Sequence, residues 1–385
     1  MTGPRGDVNA PSLSGLRNDA NLRFPARPRI IEDLRIFQMP DGLGLQLHFG
    51  DTPVVLRGRL AEKSFAFLHE YLDGSRDLDD LASAVPPDLP LATISRTLWL
   101  LHAKGLLVDG GATSSPPSDP VIGRQSLFWG RHLGITRAAD SAQVVQRRLN
   151  QAIIVVVATG LFGASTADLL MRTGCSNVKM LAWDDDAQIV DAPASAPQEP
   201  IAIERGGPST LDAAAEVVRN WAIDADLIVT ATRNAPNQLF DAVNRISLRA
   251  GTPWLRGNLE ASSIELGPYV HPNSSACFTC LQLRRRSTDP LAIERELDHA
   301  DRAERPSPDG IPPIGEALFG ATLGASHLTG EVVRIITGIA MPTLLNRVVT
   351  LSPITGEQRA NMILRVPRCP ECSRSPVPLA EMADA

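Results

Sequence analysis

The stretch AIIVVVATGLFGASTADLLMRTGCSNVKMLAWDDD, Ala152–Asp186, decides the fold. Ala152 to Val157 is an unbroken apolar, largely β-branched run, the pattern of a parallel strand buried on both faces. Ala158-Thr159-Gly160-Leu161-Phe162-Gly163 then turns the chain into a helix that reaches about Arg172. Gly174 breaks that helix before a second strand, Val178 to Trp183, which ends in Asp184-Asp185-Asp186. Asp184 lies 24 positions beyond Gly160. Strand, glycine turn, helix, strand, acid is the order of a nucleotide-binding crossover, in which glycines let phosphate reach a helix N-terminus and the acid takes the ribose hydroxyls. Gly160, Gly163 and Asp184 are therefore the candidate nucleotide residues, in a motif weakened by Ala158 at its first glycine position. A further strand, Asp226 to Thr232, and a helix, Asn237 to Ala250, continue a doubly wound α/β pattern.

Working outward, the chain has 385 residues, a length that predicts two or three domains. Hydrophobic residues make up 43 % and charged residues 21 %, which excludes a wholly disordered chain or a bundle of membrane spans. The net charge of −6 argues against nucleic acid, whose binders carry a basic surface to neutralise phosphate. Five cysteines are too few for a disulfide scaffold of this size. Four of them form two Cys-x-x-Cys pairs, Cys277/Cys280 and Cys369/Cys372, whose thiolates make a closed tetrahedral structural zinc site. A redox dithiol is the weaker reading of that spacing. No signal peptide and no apolar run long enough to span a bilayer are visible, so a reducing, cytoplasmic setting is expected.

Residues 1–27 read as a flexible arm, and the Gly/Ser/Pro-rich DGGATSSPPSD from Asp109 to Asp119 as a linker, placed over 111–122. Arg284 to Pro313 reads as a long loop or crossover. Between arm and linker, residues 28–110 show three β-prone segments, Leu34–Gln38, Leu43–Phe49 and Pro53–Leu56, with turn signals between them. Three helices follow: Leu60–Leu72, a short one N-capped by Asp77 and stopped by Pro86-Pro87, and Leu91 to about Lys104. With a wing strand at Leu106–Val108 this is a winged helix-turn-helix. Its third helix offers too few base-reading side chains for DNA. An apolar helix beside an edge strand suits a peptide added as an extra strand. Pro53, Val54, Val55 and Leu56 would pair with its backbone, and Thr97, Leu100 and Lys104 would line the side-chain cleft.

A resemblance draws these parts together. Residues 123–385 resemble the ThiF-like fold of ubiquitin-activating-type enzymes. The resemblance is carried by the glycine turn, by DLIVTATRNAPNQLFDAVNRISLRAGTPWLRGNLE (226–260), and by ACFTCL (276–281) paired with RCPEC (368–372). The stretch from Pro253 through Gly267-Pro268 to Cys280 is similar to the ThiF-like partners of cyclodehydratases. Residues 28–110 resemble the RiPP recognition element, a winged helix-turn-helix that captures precursor leader peptides. The family implies a possible homodimer and a role in natural-product biosynthesis, thiopeptide or related.

Two departures shape the functional expectation. Adenylating members follow the ribose acid with an Asn, Arg, Gln segment, where this chain reads Ala187-Gln188-Ile189-Val190-Asp191. They also carry a metal-holding aspartate where this chain has Thr232-Arg233-Asn234. The expectation is therefore a non-catalytic subunit with ATP unlikely, which binds the leader peptide and delivers its core Cys/Ser/Thr residues to a YcaO-type cyclodehydratase for azoline formation. The alternative is an active ATP-dependent ThiF-like enzyme that adenylates a peptide carboxylate.

Overall fold

Within the chain two compact units separate, Met1–Arg147 and Arg148–Ala385. The computed structural model describes residues 13, 15–16, 24–31, 34–49, 53–110, 119–136, 138–139, 141–182, 203–204, 211–260, 263–291, 293–294, 297 and 316–373. Outside the described residues lie Asp184, Ala187 to Asp191, most of residues 1–27 and of 111–122, and most of the expected loop from Arg284 to Pro313.

The first unit begins with β1 (Pro28–Ile30), β2 (Arg35–Gln38), β3 (Gly44–His48) and β4 (Val54–Arg57). The helices α1 (Arg59–Tyr71), α2 (Leu78–Ala84) and α3 (Leu91–Ala103) follow, then β5 (Leu107–Asp109), α4 (Pro120–Thr136) and α5 (Ala142–Gln151), whose last four residues belong to the second unit. Strands β2, β3 and β4 form an antiparallel sheet with β3 in the middle. Asp77 caps α2 as a capping box, accepting from Asp79 and Asp80 N–H while the Asp80 side chain accepts from Asp77 N–H. Apolar residues at helical spacing meet the sheet, burying Leu47, Leu56, Leu68, Leu81, Ile94 and Leu98. Each such side chain contributes roughly 1.5–3 kcal/mol. One detail differs from the winged arrangement expected. The strand at Leu106–Val108 forms one residue later, as β5, and pairs antiparallel with β1 rather than joining the three-stranded sheet. β1, α4 and α5 lie outside the elements expected from the sequence.

In the second unit the order is β6 (Ile153–Ala158), α6 (Gly160–Arg172), β7 (Asn177–Ala182), β8 (Ile203–Glu204), α7 (Leu211–Ala222), β9 (Leu227–Arg233) and α8 (Asn237–Ala250). It continues through β10 (Trp254–Glu260), β11 (Ser263–Val270), α9 (Phe278–Thr288), α10 (Leu318–Thr337), β12 (Arg347–Leu351) and β13 (Gln358–Met362). One sheet runs β13-β12-β11-β10-β9-β6-β7-β8. From β10 to β8 it is parallel, and from β10 to β13 antiparallel. Helices α7, α8 and α9 cover one face, where Val155, Val157, Phe240, Trp254 and Phe278 are buried together. On the other face Phe162 of α6 and Leu328 of α10 close over Gly257.

A buried charge network joins the layers. The Arg256 guanidinium donates to Glu265 and to the Gly267 carbonyl, and lies 4.4 Å over the Phe240 ring. Glu265 also accepts from Arg285 of α9. Burial pushes the Glu265 carboxyl up, but the two guanidiniums win and hold it down at about 2.

Candidate functional site

Strand order places the site. The chain lays down β6, β7 and β8 in one direction, then returns to put β9 on the other side of β6. In a doubly wound sheet the crevice at that reversal, outside the carboxyl ends of the strands, is where ligands bind. Here it is bounded by the turn after Ala158 and by the end of β9 at Arg233.

Gly160 opens α6 with φ +62°, a left-handed conformation that an L-residue adopts only at a cost. A Cβ at Gly160 would lie 2.6 Å from Glu316 Oε2 and 3.4 Å from Arg233 Cδ and Nε. Gly163 serves packing: its Cβ would stand 2.7 Å from Ala158 Cα and 2.8 Å from the Ala231 carbonyl oxygen. The helix therefore sits directly on β6 and β9. Buried Thr159 ties the turn to β9, donating its N–H to the Ala231 carbonyl at 3.2 Å and accepting from Arg233 N–H at 2.6 Å. The loop after β9 is held by Asn258, whose Oδ1 accepts from the Thr232 hydroxyl at 3.1 Å and from Ala235 N–H at 3.3 Å.

An oxyanion occupies the seat so formed. The Glu316 carboxylate accepts from Leu161 N–H at 2.9 Å through Oε2 and from Phe162 N–H at 2.7 Å through Oε1. These are first-turn donors with no partner inside the helix, at the positive end of its dipole. Arg233 is 7 % exposed, with its Nε arm against Gly160. Two N–H donors, a helix dipole and a guanidinium arm form an anion-holding arrangement suited to phosphate. Of the expected nucleotide residues, Gly160 lies at this seat and Gly163 beneath the helix. Sequence reasoning missed Glu316, which follows no motif and sits 155 positions from Leu161.

Four buried cysteines form a second cluster. Cys277 Sγ lies 3.9 Å from Cys280 Sγ and 3.7 Å from Cys369 Sγ, and Cys280 Sγ lies 3.6 Å from Cys372 Sγ. All four sulfurs fall within 4.8 Å of one another. Bonds of about 2.3 Å to a tetrahedral ion put sulfurs about 3.8 Å apart, so the donor set fits a metal ion. The Cys277 thiol and the Val366 N–H, the latter at 3.3 Å, both donate to Cys280 and draw its thiol down from the ordinary thiol range. Cys277 caps α9, and Asn244 fastens that end by accepting from Phe278 N–H at 3.0 Å.

The expected peptide residues divide in the first unit. Leu56 and Thr97 are buried, Thr97 donating to the Thr93 carbonyl at 2.9 Å, while Val54 and Leu100 are half-buried and Pro53, Val55 and Lys104 exposed. Strand β4 is an edge of its sheet among the described residues. Gly58 N–H bonds to the Leu43 carbonyl, and hydrogen-bonded pairs alternate along the register, so Val55 turns its N–H away from β3.

No described helix is long and apolar enough to cross a membrane. No protein-family model matches the sequence, and no protein of curated function does. Solved structures do. The microcin C7 biosynthetic enzyme MccB in complex with N-formylated MccA is 14 % identical, with a TM-score of 0.61 over 90 % of this chain and 99 % of its own. E. coli MccB with ATP gives a TM-score of 0.56 at 14 % identity over the same shares. The heterocyclase TruD gives 0.56 at 20 % identity, over 90 % of this chain and 43 % of its own. The chain shares their fold, as the ThiF-like resemblance implied. These likenesses correct the functional expectation. A non-catalytic subunit serving a YcaO-type cyclodehydratase, with ATP unlikely, fits less well than the adenylating alternative, because the likeness to MccB spans nearly the whole of both chains and MccB is seen with ATP and with MccA.

Proposed function

We propose that the chain is an ATP-dependent adenylating enzyme of the ThiF-like type that activates a peptide carboxylate in the biosynthesis of a ribosomally made natural product. The observation that carries this reading is the oxyanion seat at the switch point, where Leu161 and Phe162 N–H already hold two carboxylate oxygens beside Arg233. In the reaction a carboxylate oxygen attacks the α-phosphorus of ATP. The P–O bond to pyrophosphate breaks, and a mixed acyl-phosphate anhydride forms. The seat's work is electrostatic: it orients the polyphosphate and disperses charge that builds on the departing pyrophosphate. Arg233 brings positive charge there itself, in the place where other adenylating members carry an acid that holds a metal. Asp184 is the proposed ribose acid.

Residues 28–110 are proposed as a RiPP recognition element that docks the peptide against Val55 and the flank of α3 around Leu100 and Lys104. The exposed edge of β4 supports this docking. A peptide held there raises its local concentration for the second event to about the millimolar range. The four cysteines are proposed to hold zinc, which when bound supplies structure alone, since four thiolates leave no open position. Pyrophosphate exchange tests the catalytic reading: the purified chain should incorporate labelled pyrophosphate into ATP when given a pool of short peptides with free C-termini. No exchange above a peptide-free blank would refute it.

A further inference from the structure

The seat that is to receive phosphate already holds a side chain of the same chain. Glu316 stands two residues before α10 and offers both carboxylate oxygens to the first-turn donors of α6, at 2.9 and 2.7 Å. Its Oε2 lies 2.6 Å from the Cβ position of Gly160, the atom-sized space that glycine leaves for an incoming phosphate oxygen. A planar carboxylate and one face of a phosphate present two oxygens at similar spacing, and both are anions, so they satisfy the same two N–H groups. The two cannot be satisfied there together.

From this we infer that Glu316 is a built-in competitor of the nucleotide: it fills the phosphate seat in the empty chain and must leave before the polyphosphate can dock. The inference rests on the nucleotide reading above and adds to it a regulation of the same site. Glu316 reaches the seat from a segment 154 positions along the chain from Phe162, so the competition is intramolecular and independent of protein concentration. Apparent affinity for ATP is then the intrinsic affinity reduced by the fraction of molecules with the seat open. A seat open in about a tenth of molecules weakens ATP about tenfold. The competition acts on phosphate alone. A nucleoside without phosphate leaves the seat to Glu316 and is indifferent to it. Between turnovers the arrangement keeps the donors satisfied, where otherwise two helix-end N–H groups would face an empty site.

The test measures binding of a non-hydrolysable ATP analogue and of adenosine, by calorimetry, to the full chain and to its Glu316→Gln and Glu316→Ala variants. Thermal melts of all three forms establish that they are folded. The expected result is that both variants bind the analogue about tenfold more tightly, while adenosine affinity stays within twofold of the parent. Analogue affinity equal in all three forms would overturn the inference and leave the adenylation reading standing. Equal tightening for adenosine and the analogue would also overturn it, since the effect would not then lie at the phosphate seat. Failure of every form to bind the analogue would overturn both.

Discussion

Gly160→Ala separates the seat's chemistry from its architecture. The substitution places a methyl group at a position with φ +62°, which costs roughly 1–2 kcal/mol of stability. The methyl lies 2.6 Å from the point where an oxyanion oxygen now sits, against a normal carbon–oxygen contact of about 3.3 Å, so any oxyanion is displaced outward by about 0.7 Å. Hydrogen bonds of 2.9 and 2.7 Å then stretch to about 3.5 Å, where little of their energy remains. Hydrogen bonds to a charged group are worth about 1.5–3 kcal/mol each, so losing both costs about 3–6 kcal/mol, or roughly a hundredfold to ten-thousandfold in nucleotide affinity. The assay is pyrophosphate exchange over a range of ATP concentrations, beside a thermal melt. The melting temperature should fall by about 2–8 °C, and exchange at subsaturating ATP by at least about tenfold, since the same methyl also displaces the competing Glu316 carboxylate. Gly163→Ala supplies the contrast. Its Cβ would meet backbone at 2.7 and 2.8 Å, and backbone cannot swing aside as the Glu316 carboxylate can. It should cost about 1–3 kcal/mol of stability and lift α6 slightly from β6 and β9, while placing no methyl against the oxyanion. Exchange within threefold of the parent in a folded Gly160→Ala chain would show that phosphate docks elsewhere.

Three further outcomes follow from the same structure. Cys369→Ala with Cys372→Ala opens a clip between residues 92 positions apart, removing about 4–5 kcal/mol of loop constraint; calorimetry should show the melt falling by about 10–15 °C and metal analysis should show loss of bound zinc. Val55→Pro deletes the outward N–H of β4 while leaving its ladder to β3 intact, so fluorescence polarisation with a labelled peptide that supports exchange should show about fivefold weaker binding and an unchanged melt. The folded Glu265 carboxyl sits at about 2, below its unfolded value, so the stability it adds is complete above about pH 4.5 and is lost as pH falls towards 2. Urea denaturation at stepped pH should show a loss of roughly 3 kcal/mol across that window in the parent, and a flatter limb in Glu265→Gln.

Local pattern carried much of the fold. The β-branched run of β6, the Asp77 box ahead of α2 and the helix Asn237–Ala250 closed by left-handed Gly251 are written in consecutive residues, and each forms where its pattern lies. The cysteine pairs were legible for a different reason: thiolate spacing has few other uses, and the fold brings both pairs to one point. What stayed hidden depends on distant chain. β5 pairs with β1 because Gly110 N–H reaches the Arg27 carbonyl and Ile31 N–H the Leu106 carbonyl, contacts with no local signature. Glu316 belongs to the same class, a single acid whose role exists only where α10 meets the start of α6. The Arg233 substitution was visible in the sequence, but its meaning was not. Read alone it looked like a charge inversion that ended catalysis, whereas its position against Gly160 makes it part of an anion seat.

Oxygen isotope transfer tests the adenylation chemistry most directly. Peptides labelled with 18O in their C-terminal carboxylates are incubated with the chain and ATP, and the AMP released is analysed by mass spectrometry. Attack of the carboxylate on the α-phosphorus leaves one peptide oxygen on that phosphorus when the acyl–phosphate bond is later opened at carbon. The expected result is AMP carrying a single 18O, formed only with peptide and lost in Gly160→Ala. Unlabelled AMP, or ATP consumed only to ADP, would contradict adenylation of a peptide carboxylate.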